Sequence, residues 1–234
     1  VPKATVVDDD SSAGAADTSS LSALPLTDRW KVMLFLDRKG FAPGKLDGKI
    51  GTYTHKAAER WIAAQPGRNV ASLVQSAQSE ISDVITRFTI PEDALRFVGT
   101  VSTTLDGKAE QKKLPYESLA EYVAERYRTD LTTLGELNAG VPLQKLKVGD
   151  TVLVPATTPF AIESWQKDLG KDSAKSSASV RILHGENLLE VRGGSGALTA
   201  CFPITVGTKP EHIRTGTWQV RSFAMNPSFL WDES

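Results

Sequence analysis

One side chain in this sequence can act as a thiolate nucleophile, Cys201. Thiolate chemistry needs a base within reach, and the three histidines stand far from one another at 55, 184 and 212. Cys201 sits inside Ala197-Leu198-Thr199-Ala200-Cys201-Phe202-Pro203-Ile204-Thr205-Val206-Gly207, a stretch that reads as a strand. A free cysteine in such a setting behaves as a small packed hydrophobe, so Cys201 is assigned a structural role. His184 falls in a turn and His212 in the loop before Thr215, and both read as exposed polar residues. No His-x-x-x-His or Cys-x-x-Cys spacing occurs, so no zinc site or other metal is expected, and one cysteine forms no internal disulfide. Gly193-Gly194-Ser195-Gly196-Ala197 falls short of a nucleophile elbow, because Ala197 replaces the last glycine and no helix follows. The same cluster joins two strands, so it is no dinucleotide loop, and no cofactor is expected.

A second set of residues stands at turns and element boundaries. In Ala42-Pro43-Gly44-Lys45-Leu46-Asp47-Gly48-Lys49-Ile50-Gly51-Thr52-Tyr53-Thr54 the turn residues are dense. Glycines at 48 and 51 permit positive φ, and Asp47 can accept backbone hydrogen bonds inside the loop. Each residue alone can be read as shaping the turn. Asn138, at the end of a later helix before Gly140 and Pro142, is another polar residue at an element boundary.

The elements that must position these residues follow from periodicity. Residues 1–23 carry Asp8-Asp9-Asp10 with serines and alanines and no aromatic side chain, which reads as a flexible leader. Asp28 can cap a helix with Trp30, Met33 and Leu34 on one face, ended by Gly40. Thr52 or Thr54 caps a second, with Ala57, Ala58, Trp61 and Ile62. Val70, Leu73, Val74 and Ala77 mark a third, and together they predict a small bundle over 24–80. A strand over 84–90, a polar loop over 99–114, a helix bearing Leu119, Ala120, Val123, Ala124 and Tyr127, and a helix bearing Leu131, Leu134 and Leu137 follow. A strand over 151–155 closes a β-α-α-β unit over 81–157. A small polar linker covers 158–177, and strands 179–183, 188–192, 197–207 and 217–221 predict an antiparallel sheet over 178–234. The expected class is α+β with several domains.

Composition narrows the partners. Lys+Arg is 27 against Asp+Glu 28, a net charge of -1, which argues against a nucleic-acid binder. The longest apolar run, Val32-Met33-Leu34-Phe35-Leu36, is far below the about 20 residues of a membrane-spanning helix, so no span is expected. Oligomeric state is not readable.

Three stretches resemble known families. The run from Leu34 to Thr54, with Asp47, Gly48, Gly51 and Thr54 in the Asp-Gly-x-x-Gly-x-x-Thr positions and Ala57 and Trp61 after it, resembles the peptidoglycan-binding-domain-1 family. Ala124-Glu125-Arg126-Tyr127, Leu137-Asn138, Val148-Gly149-Asp150 and Val154-Pro155 look like a LysM module. Pro203-Ile204-Thr205-Val206-Gly207, Thr215-Gly216-Thr217-Trp218 and Asn226-Pro227-Ser228-Phe229, after a hairpin, resemble the opening of a YkuD-type L,D-transpeptidase domain. The units ahead of it, with Phe88-Thr89-Ile90-Pro91-Glu92-Asp93, are similar to envelope L,D-transpeptidases that carry wall-binding modules.

The resemblance implies contact with peptidoglycan glycan strands and stem peptides, substrate binding at Asp47, Gly48, Thr54 and Asn138, and a periplasmic or extracytoplasmic location after removal of a signal peptide. The implied reaction is acyl transfer: a cysteine thiolate attacks a stem-peptide carbonyl, a histidine acts as base and backbone amides hold the oxyanion. The family's His and Ser-x-Gly-Cys do not occur in residues 1–234, so no catalytic residue is assigned and this stretch is expected to be inactive by itself. A two-layer β domain usually needs about 100 residues, so the sheet over 178–234 is expected to be incomplete, with Leu198, Phe202, Ile204, Val206 and Trp218 on an uncovered face and the natural chain continuing past Ser234. The rival expectation from another class is a non-catalytic wall-binding protein.

Overall fold

The computed structural model describes residues 3–7, 16–112, 114–161, 177–206 and 213–220. The linker stretch 162–176, Gly207, His212 and the 226–229 motif lie outside them. The described chain is mixed α+β, with one five-stranded and one two-stranded sheet. It divides into two compact units, the first from 3–84 with 177–220 and the second from 85–161.

The first unit begins with β1 (Lys3–Val7). A bundle follows: α1 (Leu26–Arg38), α2 (Thr52–Ala63) and α3 (Val70–Glu80). Apolar residues at helical spacing fill its centre, including Met33, Leu34, Phe35, Ala58 and Leu73, with the Phe35 and Trp61 rings edge to face at 5.4 Å. Helix α1 starts at Leu26 after extended Pro25, so Asp28 is not its cap but an acidic residue of the first turn, where it complements the helix dipole. Gly51, not Thr52 or Thr54, occupies the N-cap of α2. Helix α3 carries a full capping box between Asn69 and Ser72.

In the second unit β2 (Ile85–Thr89) pairs antiparallel with β3 (Thr151–Pro155). Between them lie α4 (Leu105–Glu110), α5 (Leu119–Arg126) and α6 (Leu131–Leu137). The polar stretch 99–114 is therefore not loop throughout: Thr104 caps α4 by accepting from Gly107 N, although α4 buries no residue. Ser118 and Asp130 cap α5 and α6. The inward faces of α5, α6 and β3 share one core that includes Val123, Tyr127, Leu134 and Val152.

The rest of the first unit is β4 (Ser179–Leu183), β5 (Leu188–Arg192), β6 (Leu198–Pro203) and β7 (Gly216–Gln219). The sheet order is β6-β5-β4-β1-β7, with β4, β5 and β6 an antiparallel meander. Two expectations are corrected here. The sheet is mixed rather than antiparallel, because β1 runs parallel to β4. Residues 1–23 are not a leader throughout, because β1 is an interior strand and Leu21 is fully buried. The β-branched run Thr5-Val6-Val7 has strand propensity that a composition averaged over the aspartates hides.

Cross-strand register assigns the two faces. Cys201, Glu190, Arg181 and Thr5 are successive partners on one face, and Phe202, Leu189, Ile182 and Val6 on the other. The first face carries the buried residues Cys201, Glu190, Leu188 and Leu183, and α2 packs against β6. Helix α2 thus packs on this face of the sheet, so the bundle expected over 24–80 and the incomplete sheet expected over 178–234 meet within one unit. Phe202 and Trp218 remain exposed, while Leu198, Ile204 and Val206 are half-buried.

Candidate functional site

The glycine-rich segment between α1 and α2 folds into a loop held by its own motif residues. Asp47 Oδ1 accepts from Lys49 N at 2.9 Å, and its other oxygen meets Lys45 Nζ at 3.4 Å. Gly48 has φ of 72°, and a Cβ there would lie 2.5 Å from Trp30 Nε1, so only glycine lets the loop close over that ring. Thr54 is buried and its hydroxyl donates to the Pro43 carbonyl at 3.2 Å. The structure brings Asp47, Gly48 and Thr54 into one loop, and each of them holds that loop closed. Its exposed rim is Lys45, Lys49, Gly51 and Thr52.

Asn138 belongs to the second unit. Its Nδ2 donates to the carbonyls of Leu134 and Leu153, both at 2.8 Å, and its Oδ1 accepts from Leu153 N at 2.7 Å. A buried primary amide with these partners ties the end of α6 to β3 and satisfies strand backbone that would otherwise be orphaned. Near the start of α5 and the α5–α6 junction lies an open cleft of about 420 Å³, lined by residues that include Glu117, Glu121, Glu125 and Asp130. Two of these carboxylates already serve backbone amides: Glu121 accepts from Glu117 N and Asp130 from Thr133 N. Asn138 does not line it.

The densest constellation of charge in the first unit joins α2 to the sheet. Arg60 reaches Glu186 through Nη2 and Glu190 through Nε, the latter at 3.2 Å. Lys56 Nζ donates to the Glu186 carbonyl at 2.7 Å, and Arg192 Nη2 meets the other Glu190 oxygen at 2.7 Å. Arg60, Glu186 and Glu190 are each less than a tenth exposed. Burial works against the Arg60 charge, and the facing carboxylates of Glu186 and Glu190 outweigh it, so its pKa stands above the ordinary arginine value. Burial pushes the neighbouring Glu59 carboxyl up, with Glu186 adding to the effect.

Beside this network Cys201 is fully buried. Its N–H donates to the Gly40 carbonyl at 2.9 Å and its own carbonyl accepts from Ala42 N at 2.8 Å, so the segment leading into the motif loop is laid along the outer edge of β6. Burial pushes the thiol up to about 12. At neutral pH the group is a neutral, inaccessible thiol, the opposite of a poised nucleophile. His55 Nδ1 is 2.8 Å from Thr18 Oγ1, and His184 stands in the turn between β4 and β5. Among the described residues no three His, Cys, Asp or Glu side chains converge as a metal site, and no helix is long and apolar enough to cross a membrane.

Sequence reasoning missed the Arg60, Glu186 and Glu190 network. A signal was present: Glu190 shares its strand face with Leu188, and Arg60 lies one turn from Ala57 on a packed helix. A charge at a core position of a period-2 or period-3.6 pattern asks for a partner of opposite sign. Comparison of the chain with protein-family models and with curated proteins returned no match.

Proposed function

We propose that this chain is the wall-binding and strand-bearing part of an extracytoplasmic L,D-transpeptidase that remodels peptidoglycan cross-links by cysteine acyl transfer on stem peptides. The observation that carries the reading is the order of three motif-bearing stretches in one sequence: the Asp47 to Thr54 loop, the β-α-α-β unit with Asn138, and the strands leading to Pro203-Ile204-Thr205-Val206. Support comes from the places these stretches occupy. The first closes a loop between α1 and α2, the second is bounded by the paired strands β2 and β3, and the third is the β4–β5–β6 meander with the residues directly after it.

In this reading Asp47, Gly48, Thr54 and Asn138 act on substrate indirectly, by setting the loops that face glycan. The acyl-carrying cysteine and its histidine are proposed to lie outside residues 1–234, because Cys201 is inaccessible and neutral. That same observation favours the rival for the chain by itself, a non-catalytic peptidoglycan-binding envelope protein.

Co-sedimentation of the 234-residue chain with purified sacculi tests the shared part of both readings. The protein is expected in the pellet at low and moderate salt, and retention in the supernatant overturns wall binding. Intact mass of the natively purified protein, with its reading frame, separates the two. Carbapenem treatment of the natural protein is expected to leave an acyl adduct that Cys201→Ser does not remove. A natural protein ending at Ser234 with no adduct overturns the transpeptidase assignment and leaves the non-catalytic one.

A further inference from the structure

We propose that the space between β4 and β7 is a strand-acceptor slot, filled by the chain's own N-terminal strand β1, and that β7 stays on the sheet only while the slot is filled. Strand β1 pairs parallel with β4 from Lys3 opposite Ser179 to Val7 opposite Leu183. Its other edge pairs antiparallel with β7 from Lys3 opposite Gln219 to Val6 opposite Gly216. Hydrogen-bonded strands lie about 4.8 Å apart, so removing β1 leaves β4 and β7 separated by about two spacings, beyond hydrogen-bonding reach.

The two sides of the slot differ in what holds them. Strand β4 has β5 behind it, and β5 and β6 are braced by the Arg60 network and by the Gly40 and Ala42 hydrogen bonds. Among the described residues strand β7 is the edge of the sheet and pairs only with β1, and all four of its residues are exposed, Trp218 to 48%. No buried side chain anchors it, so the backbone ladder to β1 is its hold on the sheet among the described residues.

The slot also states what it accepts. Ala4 and Val6 continue the apolar rows of Val180 and Ile182, while Thr5 lies beside Arg181 and Val7 beside Leu183. A strand with small or β-branched uncharged residues at these four positions matches both rows, and main-chain pairing supplies the rest, as in peptide recognition by strand addition. The segment Lys3-Ala4-Thr5-Val6-Val7 has that character and enters from a part of the chain remote in sequence from both neighbours.

Hydrogen exchange measured by mass spectrometry tests this on two proteins. In the full chain the amides of 216–219 are expected to be protected. In full-length Val6→Pro, which removes a ladder donor from the middle of β1, they are expected to exchange at least about tenfold faster, while Leu188–Arg192 and Leu198–Pro203 keep their protection. In a chain lacking residues 1–7, the synthetic heptapeptide Val-Pro-Lys-Ala-Thr-Val-Val added in trans is expected to restore the protection of 216–219. Unprotected 216–219 amides in the full chain, or unchanged protection in Val6→Pro, overturn the dependence of β7 on β1. Failure of the heptapeptide to restore protection overturns the acceptor slot. A concentration-dependent dimer of the full chain with exchanged strands overturns the assignment of the occupant to the same chain.

Discussion

The two units solve one problem, fixing a helix against a strand, with different chemistry. In the second unit one neutral amide does it: Asn138 gives and takes three hydrogen bonds with Leu134 and Leu153. In the first unit a buried cation does it, with Arg60 of α2 held between Glu186 and Glu190. A neutral amide loses little on leaving water if all its bonds are replaced, whereas a buried ion pair must recover the hydration of both charges. Loss of the amide therefore leaves neutral backbone groups unpaired, whereas loss of Arg60 leaves buried carboxylates short of their compensating charge, which costs more.

The largest expected effect follows from that contrast. Arg60→Ala removes the most buried cation from between Glu186 and Glu190, leaving Lys56 and Arg192 as their remaining cationic neighbours, and should destabilise the first unit by about 3–5 kcal/mol, read by urea unfolding. Asn138→Ala should destabilise the second unit by about 2–3 kcal/mol, since the Leu153 amide and carbonyl lose their partner while no charge is exposed. An equal or larger effect at Asn138 would break the comparison. Gly48→Ala should cost about 2 kcal/mol, through strain at positive φ and the displacement of Trp30, and should leave the second unit unchanged. Asp130→Ala, losing the cap of α6, should cost about 1 kcal/mol.

Much of the second unit was legible from periodicity. Leu119, Ala120, Val123, Ala124 and Tyr127 were grouped on one face by 3.6-residue spacing and are all buried. Strands 179–183 and 188–192 fall where alternation and turn residues put them. The order of strands in the sheet was not legible, because β1 is five residues long and pairs with strands that lie more than 170 residues further along the chain, and local pattern carries no record of such partners. The packing of α2 on the sheet was hidden for the same reason. Asp47 and Gly48 were legible by their turn chemistry, which the structure shows inside the loop, while Thr54, read from the sequence as a helix cap, instead bonds the Pro43 carbonyl across the loop. What they present to a ligand depends on neighbours that spacing does not name.

Cys201 sharpens the contrast by pH. Its thiol is neutral in the folded first unit up to about 12, against 9.0 for an ordinary cysteine thiol. The unfolded chain therefore releases this proton first, so stability from this residue is intact below about pH 9 and falls as pH rises toward 12. Cys201→Ala should flatten that alkaline limb, and a thiol reagent at pH 8 should label the native chain far more slowly than the unfolded one.

The central claim is that α2 and the β4–β5–β6 meander are one cooperative structure held by Arg60, rather than a binding module beside a separate sheet. Native-state hydrogen exchange on the full chain tests it most directly. The most protected amides of α2, β5 and β6 should share one opening free energy, and Arg60→Ala should lower all three by the same amount while β2 and β3 keep theirs. Loss of protection in α2 alone, with β5 and β6 unchanged, would contradict it.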